Sequence, residues 1–235
     1  MLAIFKRELK AYFISPIGYI FIAVFLAASG FAFSNFTLKA GERSDVGMWF
    51  TIILLMFVIL IPLLTMRLLS EERKLKTEQV ILTAPVSLFG IVMGKFLAAY
   101  TIFATTFLVS SANVLVLFLY GTPNKAVIVG YIVSILLIGG AFIALGLFIS
   151  AFTENQLTAA IVTIATIALL LAVGLITTYV DFFFIRVILD SLSVLSRFYY
   201  FTYGIFDVNA VIYYISLTIV FLFLTVRIYE RRRWS

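Results

Sequence analysis

The sequence predicts an all-α membrane protein whose six transmembrane helices take up most of the chain. Three observations carry that prediction. Hydrophobic residues fill 64% of the 235 positions and charged residues 12%, against about 45–50% and about 25% in soluble domains. Mean hydropathy is +1.18, more than a water-facing surface tolerates. The apolar residues also gather into six stretches near the roughly 20 residues that cross a hydrocarbon core of about 30 Å. Together these features exclude a soluble enzyme, a secreted domain and a nucleic-acid-binding module. Cys and His are both absent, so disulfides, thiolate metal sites and imidazole acid–base chemistry are unavailable.

Taken in order, Met1–Phe13 predicts an amphipathic helix lying in the membrane interface. Leu2, Phe5, Leu9 and Phe13 form its apolar stripe, opposite Lys6, Arg7 and Lys10. A cleaved leader does not fit, because the charges follow several apolar residues and the next stretch is too long. Ser15-Pro16 then turns the chain into the membrane. The expected spans are Ile17–Leu38, Met48–Met66, Phe96–Leu119, Ala126–Ser150, Leu157–Val180 and Val208–Val226. None carries a charge at mid-depth, where an ion costs at least about 2.5 kcal/mol.

Charge sets the expected orientation. The segments Met1–Pro16, Arg67–Lys95, Ala151–Gln156 and Arg227–Ser235 hold twelve Lys/Arg against six acids, and the alternate segments hold five against five. The first set, with both termini, is therefore expected on the cytoplasmic side. Arg231-Arg232-Arg233 is its strongest anchor, read first as a topology signal and secondarily as a place where anionic membrane lipids can bind.

Inside the spans the chemistry is sparse. Asn113 is the most polar intramembrane residue and suits an interhelical hydrogen bond or a substrate contact. Gly139, Gly140, Ala144, Gly146 and Ser150 give the fourth span a small-residue packing face, and Ala23, Ala27 and Gly30 suggest the same for the first. Gly90 and Gly94-Lys95-Phe96 only faintly resemble a phosphate-binding loop. Three residues instead of four separate the glycines, and Phe96 stands where Ser or Thr must hold Mg²⁺. Any energy from ATP would therefore have to come from another chain.

Arg67–Lys95 is more structured than a tether requires. Ser70 can cap a helix with Glu71 and Glu72 in its first turn. Glu72–Lys76 and Lys74–Glu78 are i,i+4 pairs. Leu75, Val80, Ile81 and Leu82 supply an apolar side before Ala84-Pro85 ends the helix. A mixed-charge helix held parallel to the membrane is a docking surface.

Glu71-Glu72-Arg73, Thr77-Glu78, Leu82-Thr83-Ala84-Pro85-Val86-Ser87 and Gly94-Lys95-Phe96 resemble the cytoplasmic signature of type-2 ABC transporter permeases. The resemblance is nearest to the bacterial gliding-motility-type permeases. It extends over the chain through Ser150–Gln156 and the C-terminal Glu230–Trp234. One departure is Lys76, where that family commonly has Gly before the Thr.

The resemblance implies a single transmembrane domain over 1–235. Residues 1–16 would be a connecting helix, 67–87 a coupling segment, and 181–207 re-entrant outer helices between spans five and six. It implies that Glu71, Glu72, Arg73, Lys76, Thr77, Glu78 and Pro85 couple to a separate ABC ATPase, with Glu154 and Asn155 as a smaller contact. No cofactor would be held in this chain, with ATP and Mg on the ATPase. It further implies a second permease chain, identical or related, an exporter in the bacterial inner membrane, and in some systems a membrane-anchored auxiliary protein. In the outer segment, Arg186, Asp190 and Arg197 would pair with one another or face headgroups. The competing readings are an ATP-independent channel or carrier and a membrane anchor for an envelope or motility complex.

Overall fold

A computed structural model describes residues 1–38, 46–79, 86–120, 123–177, 182–204 and 206–233. Within them the fold is all-helical, and six helices are long and apolar enough to cross a membrane. They are Pro16–Thr37, Val46–Lys74, Leu88–Leu119, Lys125–Ser150, Gln156–Ile176 and Val208–Arg233.

Helix α1 (Leu2–Ile14) stops at Ser15, and Pro16 begins α2 (Pro16–Ala32), where its missing N–H costs nothing. A π-helical turn (Phe33–Thr37) extends α2. Helix α3 (Val46–Thr65) runs back and carries Pro62 inside it. A tight turn leads to the single-turn helix α4 (Ser70–Lys74). Helix α5 (Leu88–Ser111) starts under a Ser87 cap, the Ser87 hydroxyl accepting the Gly90 N–H at 3.2 Å. The third span thus begins eight residues before the apolar window at Phe96. It breaks at Ala112, and Asn113 opens the short continuation α6 (Asn113–Tyr120).

Helices α7 (Lys125–Ser150) and α8 (Gln156–Ile176) are capped by Asn124 and Asn155. Two short helices, α9 (Phe183–Leu192) and α10 (Val194–Thr202), fill the connection to α11 (Val208–Arg233). The resemblance implied helices here, and the described residues of the connection are mostly helical. Arg197 lies 3.8 Å over the Tyr213 ring and donates to the Ser191 carbonyl, while Arg186 and Asp190 are exposed.

Helix α7 is the central post, packed by α3, α5, α8, α10 and α11. Its small-residue face explains why. A Cβ at Gly139 would stand 2.2 Å from the Phe103 ring, and one at Gly146 would stand 2.2 Å from Thr65 Oγ1. Helices in lipid gain nothing from apolar burial alone, so close approach and interhelical hydrogen bonds hold them. The aromatic core supplies contact area: Phe50 stacks on Tyr131 at 4.5 Å and Phe57 meets Phe103 edge-on at 5.3 Å. Ser29 and Ser110 share a hydrogen bond of 2.7 Å between α2 and α5.

The expected small-residue face of α2 does not pack against the rest of this chain. Ala23 and Ala27 are exposed, and a Cβ at Gly30 would meet nothing within 4 Å. The register of α1 also differs from the expected stripe. Its inward residues are Ile4, Phe5, Glu8, Leu9 and Tyr12, whereas Leu2 and Phe13 point outward. Two polar anchors set that rotation: Tyr12 is fully buried with its hydroxyl donating to the Leu64 carbonyl at 2.7 Å, and Glu8 is drawn in by Lys95.

Candidate functional site

The sequence-predicted residues converge at the end of the bundle that carries both termini. The turn after α3 is closed from across the molecule. Ser150, the last residue of α7 and fully buried, accepts the N–H groups of Leu69 and Ser70 at 3.1 Å each and donates to the Met66 carbonyl at 3.2 Å. Ser70 is therefore not the cap of α4. It sits inside the helix and donates to the Met66 carbonyl, and the orphan amides of the first turn are satisfied by Ser150 instead.

Two ion clusters flank this turn. In the first, Lys95 of α5 lies almost wholly buried, its side chain 1% exposed. Its ammonium sits 2.8 Å from Glu72 Oε1 and 3.2 Å from Glu8 Oε1, and it donates to the Leu68 carbonyl at 2.8 Å. Arg7 bridges the same two carboxylates at 2.6 and 2.8 Å. Burial alone would push the Glu8 carboxyl up. The Lys95 charge and the Arg7 contacts outweigh it and hold Glu8 below its ordinary value. Arg7 is raised: burial acts against its charge, and the two carboxylates overcome that. Glu72 Oε2 is buried without a partner among the described residues.

The second cluster ties the turn to the C-terminal helix. Arg232 binds Glu78 at 3.0 Å and also donates to the Ala151 carbonyl. Arg73 lies 3.7 Å from Glu78 and 3.1 Å from Glu154, in the α7–α8 connection. On the remaining side Arg67 donates to Ser15 Oγ at 2.6 Å, lies 4.8 Å over the Tyr12 ring and approaches Glu71 at 3.9 Å. Burial pushes the Tyr12 hydroxyl well above its ordinary value, so it stays a neutral donor.

The predicted residues thus separate into two groups. Glu72 and Glu78, at 13% and 12% side-chain exposure, face inward and brace the segment against α1, α5 and α11. Neither i,i+4 pair forms in the expected way, because α4 ends at Lys74 and the chain reverses at Lys76. Lys76 has φ +56, a left-handed conformation that glycine adopts without cost. The departure at Lys76 noted in the sequence therefore falls where the backbone wants Gly.

The outward group is Lys74, Leu75, Lys76 and Thr77, with Leu75 63% exposed, and Glu71 is partly exposed. Beside it the α7–α8 connection presents Phe152, 61% exposed, and Glu154. Asn155 is occupied as the α8 cap, its side chain accepting the Leu157 N–H at 2.9 Å. Pro85, with Val80, Ile81, Leu82 and Ala84, lies outside the described residues.

Sequence reasoning missed Glu8, Lys95, Ser150 and Arg232 as parts of this assembly. Two of them left a signal. Glu8 stands on the face of α1 that carries Ile4, Phe5, Leu9 and Tyr12, and Lys95 sits within an apolar helix. A charge on an apolar face needs a buried partner.

The bundle is thus a polytopic membrane protein with a rigidly held turn at one end. The family model of the ABC-2 family transporter proteins matches residues 3–234, and the chain belongs to that family. No curated protein matches it. Family membership makes the chain a permease subunit of an ABC transporter, a transport component beside an ATPase partner.

Proposed function

We propose that this chain is the membrane-spanning subunit of an ATP-driven exporter. It works as a pair of permease chains on two ATPase subunits, which bind the ATP and Mg. The observation that carries this reading is the exposed tip Leu75–Thr77, mounted by a buried ion pair to α5, partly exposed ion pairs to α1 and α11, and hydrogen bonds to Ser150 of α7. A surface that must transmit force to the spans needs such a mounting, and a tether between spans does not. On this reading Leu75 and Lys76 enter a groove on the ATPase, and Phe152 and Glu154 form the smaller contact. Thr77 completes the tip, Glu71 borders it, and Glu72, Arg73 and Glu78 couple by bracing it.

The termini then lie in the cytoplasm of a bacterium, with the chain in the inner membrane, as the excess of Lys and Arg at that end supports. The gliding-motility-type permeases are the subgroup whose motifs it shares, and systems of that type supply the precedent for an auxiliary membrane-anchored protein.

The test is a mild-detergent pull-down of the full chain from native membranes, followed by mass spectrometry and an ATPase assay. The expected result is a co-purifying P-loop ATPase that is lost with Leu75→Asp and Phe152→Asp, both at unchanged thermal stability. Recovery of a homo-oligomer without ATPase would refute the reading and favour a channel or carrier. Recovery of the ATPase without ATP-dependent transport would favour an anchoring role.

A further inference from the structure

We propose that a cleft between the start of α5 and the end of α11 binds the headgroup of an anionic phospholipid. The cleft measures about 660 Å³ and is walled by Ser87 and Phe89 on one side and by Val226, Arg227, Arg231 and Arg233 on the other. Its charge is strongly positive. Among the described residues lining it, the one carboxylate, Glu230, is paired with Arg227 at 2.6 Å. Arg231 and Arg233 are exposed and form no ion pair among the described residues. The neighbouring Arg232 turns the other way, into the Glu78 cluster.

The opposite wall is the N-terminus of a 24-residue helix, where Ser87 Oγ takes the Gly90 N–H, the Leu88 and Phe89 N–H groups lack intrahelical acceptors, and the dipole favours negative charge. Two walls of complementary chemistry therefore face one space: guanidinium forks that suit phosphate oxygens, and amide donors across from them.

The occupant is a lipid rather than a free phosphate because the cleft is continuous with an apolar outer surface. Phe89 is 56% exposed at its rim, and Phe223, one turn up α11, is 53% exposed with Arg227 lying 4.9 Å over its ring. Exposed aromatics on membrane-spanning helices give acyl chains a wall directly beneath the charged pocket. Basic pockets between helices at the positive side of a membrane are built to hold anionic headgroups. A headgroup here would tie α5 to α11 at Ser87, where the 67–87 segment re-enters the bundle.

The test is native mass spectrometry of the full chain released from nanodiscs of nine parts phosphatidylcholine to one part phosphatidylglycerol. The readout is retained phosphatidylglycerol relative to phosphatidylcholine. Each arginine near an anionic surface favours the charged lipid by roughly fivefold, so Arg231 and Arg233 together give an enrichment of roughly 25-fold. Arg231→Gln with Arg233→Gln should bring it close to one, while Lys6→Gln with Lys10→Gln on α1 leaves it unchanged.

Ser87→Asp guards against loss of folding or topology in the arginine variant. Asp caps a helix as well as Ser does, yet it places a carboxylate in the cleft. It should cut the enrichment at least fivefold without lowering the melting temperature. Retained enrichment in either cleft variant overturns the site. Equal loss in the Lys6/Lys10 variant also overturns it, because the attraction would then be a general surface effect. Wild type without enrichment overturns it too, leaving the basic cleft for an acidic protein surface.

Discussion

Lys95→Met probes the mounting of the cytoplasmic turn most directly. The substitution keeps the length and apolar stem of the side chain and removes only the ammonium. That group makes two ion pairs, at 2.8 Å to Glu72 and 3.2 Å to Glu8, and one hydrogen bond, at 2.8 Å to the Leu68 carbonyl. Deleting one partner of a buried pair costs about 3–5 kcal/mol, because the other partner is left charged and desolvated. Here Arg7 still reaches both carboxylates and is itself half exposed. The expected cost is therefore at the low end, about 3 kcal/mol. With about 2–4 °C per kcal/mol at this chain length, the melting temperature of the full chain in detergent should fall by roughly 6–12 °C. Adding Glu8→Gln and Glu72→Gln to Lys95→Met neutralises the stranded carboxylates and should restore most of the loss. An unchanged melting temperature in Lys95→Met would refute the buried cluster. Failure of the triple variant to recover would show that the Lys95 stem, not its charge, holds the helices.

Three further outcomes are expected. Glu8 is more acidic folded than unfolded, so its contribution is complete above its unfolded value near 4.5 and is lost as pH falls through the lower folded value. Melting curves between pH 7 and pH 3 should therefore show a shallower acid limb for Glu8→Gln than for wild type, and parallel limbs would remove Glu8 from the cluster. Lys76→Gly should raise stability by about 1 kcal/mol by relieving the left-handed backbone, whereas Lys76→Val should lower it. A fall in Lys76→Gly would deny that conformation. Gly146→Ala should cost about 1–3 kcal/mol, since its methyl would collide with Thr65, while Gly30→Ala, which meets nothing within 4 Å, should be silent by the same melt. Equal effects at the two glycines would contradict the packing of α7.

Much of this was legible in the sequence because the membrane narrows the choices. A span must be long and apolar, and six stretches met that condition. The Gly139–Ser150 face was readable as packing because a helix surrounded by neighbours needs small residues somewhere. What escaped was every feature whose partner is remote in sequence. Glu8 was given no place in the reading of α1, because no nearby residue explains a buried carboxylate and Lys95 is 87 positions away. Ser70 has the right chemistry for a cap at the right place. Yet the hydroxyl of Ser150, 80 positions on, takes the amides first. The Glu72–Lys76 and Lys74–Glu78 pairs assume a continuous helix, and a single residue at φ +56 removes that assumption. Position 76 is the exception, where a departure from a family pattern correctly flagged unusual local geometry.

The same remote contacts bear on how the turn moves. The segment is joined in sequence to α3 before it and to α5 after it, and Ser150 adds α7, the Lys95 ion pair a second hold on α5, Arg232 adds α11, and Arg7 and Arg67 add α1. A turn held by its covalent connections alone would absorb a push at Leu75 by bending at residues 66–69. Here bending would first have to pull Glu72 from Lys95 and strip the Leu69 and Ser70 amides from Ser150, each a buried group left without its partner. Moving the attached helix ends together leaves those contacts intact. Displacement as a body is therefore the lower-energy response to force on the tip, as packed interfaces shift between discrete arrangements rather than deforming continuously. On the proposed reading, the buried charges at this end of the bundle would transmit a push that apolar contacts alone would not, because contacts between apolar side chains slide at little cost and a paired ion in a dry site does not.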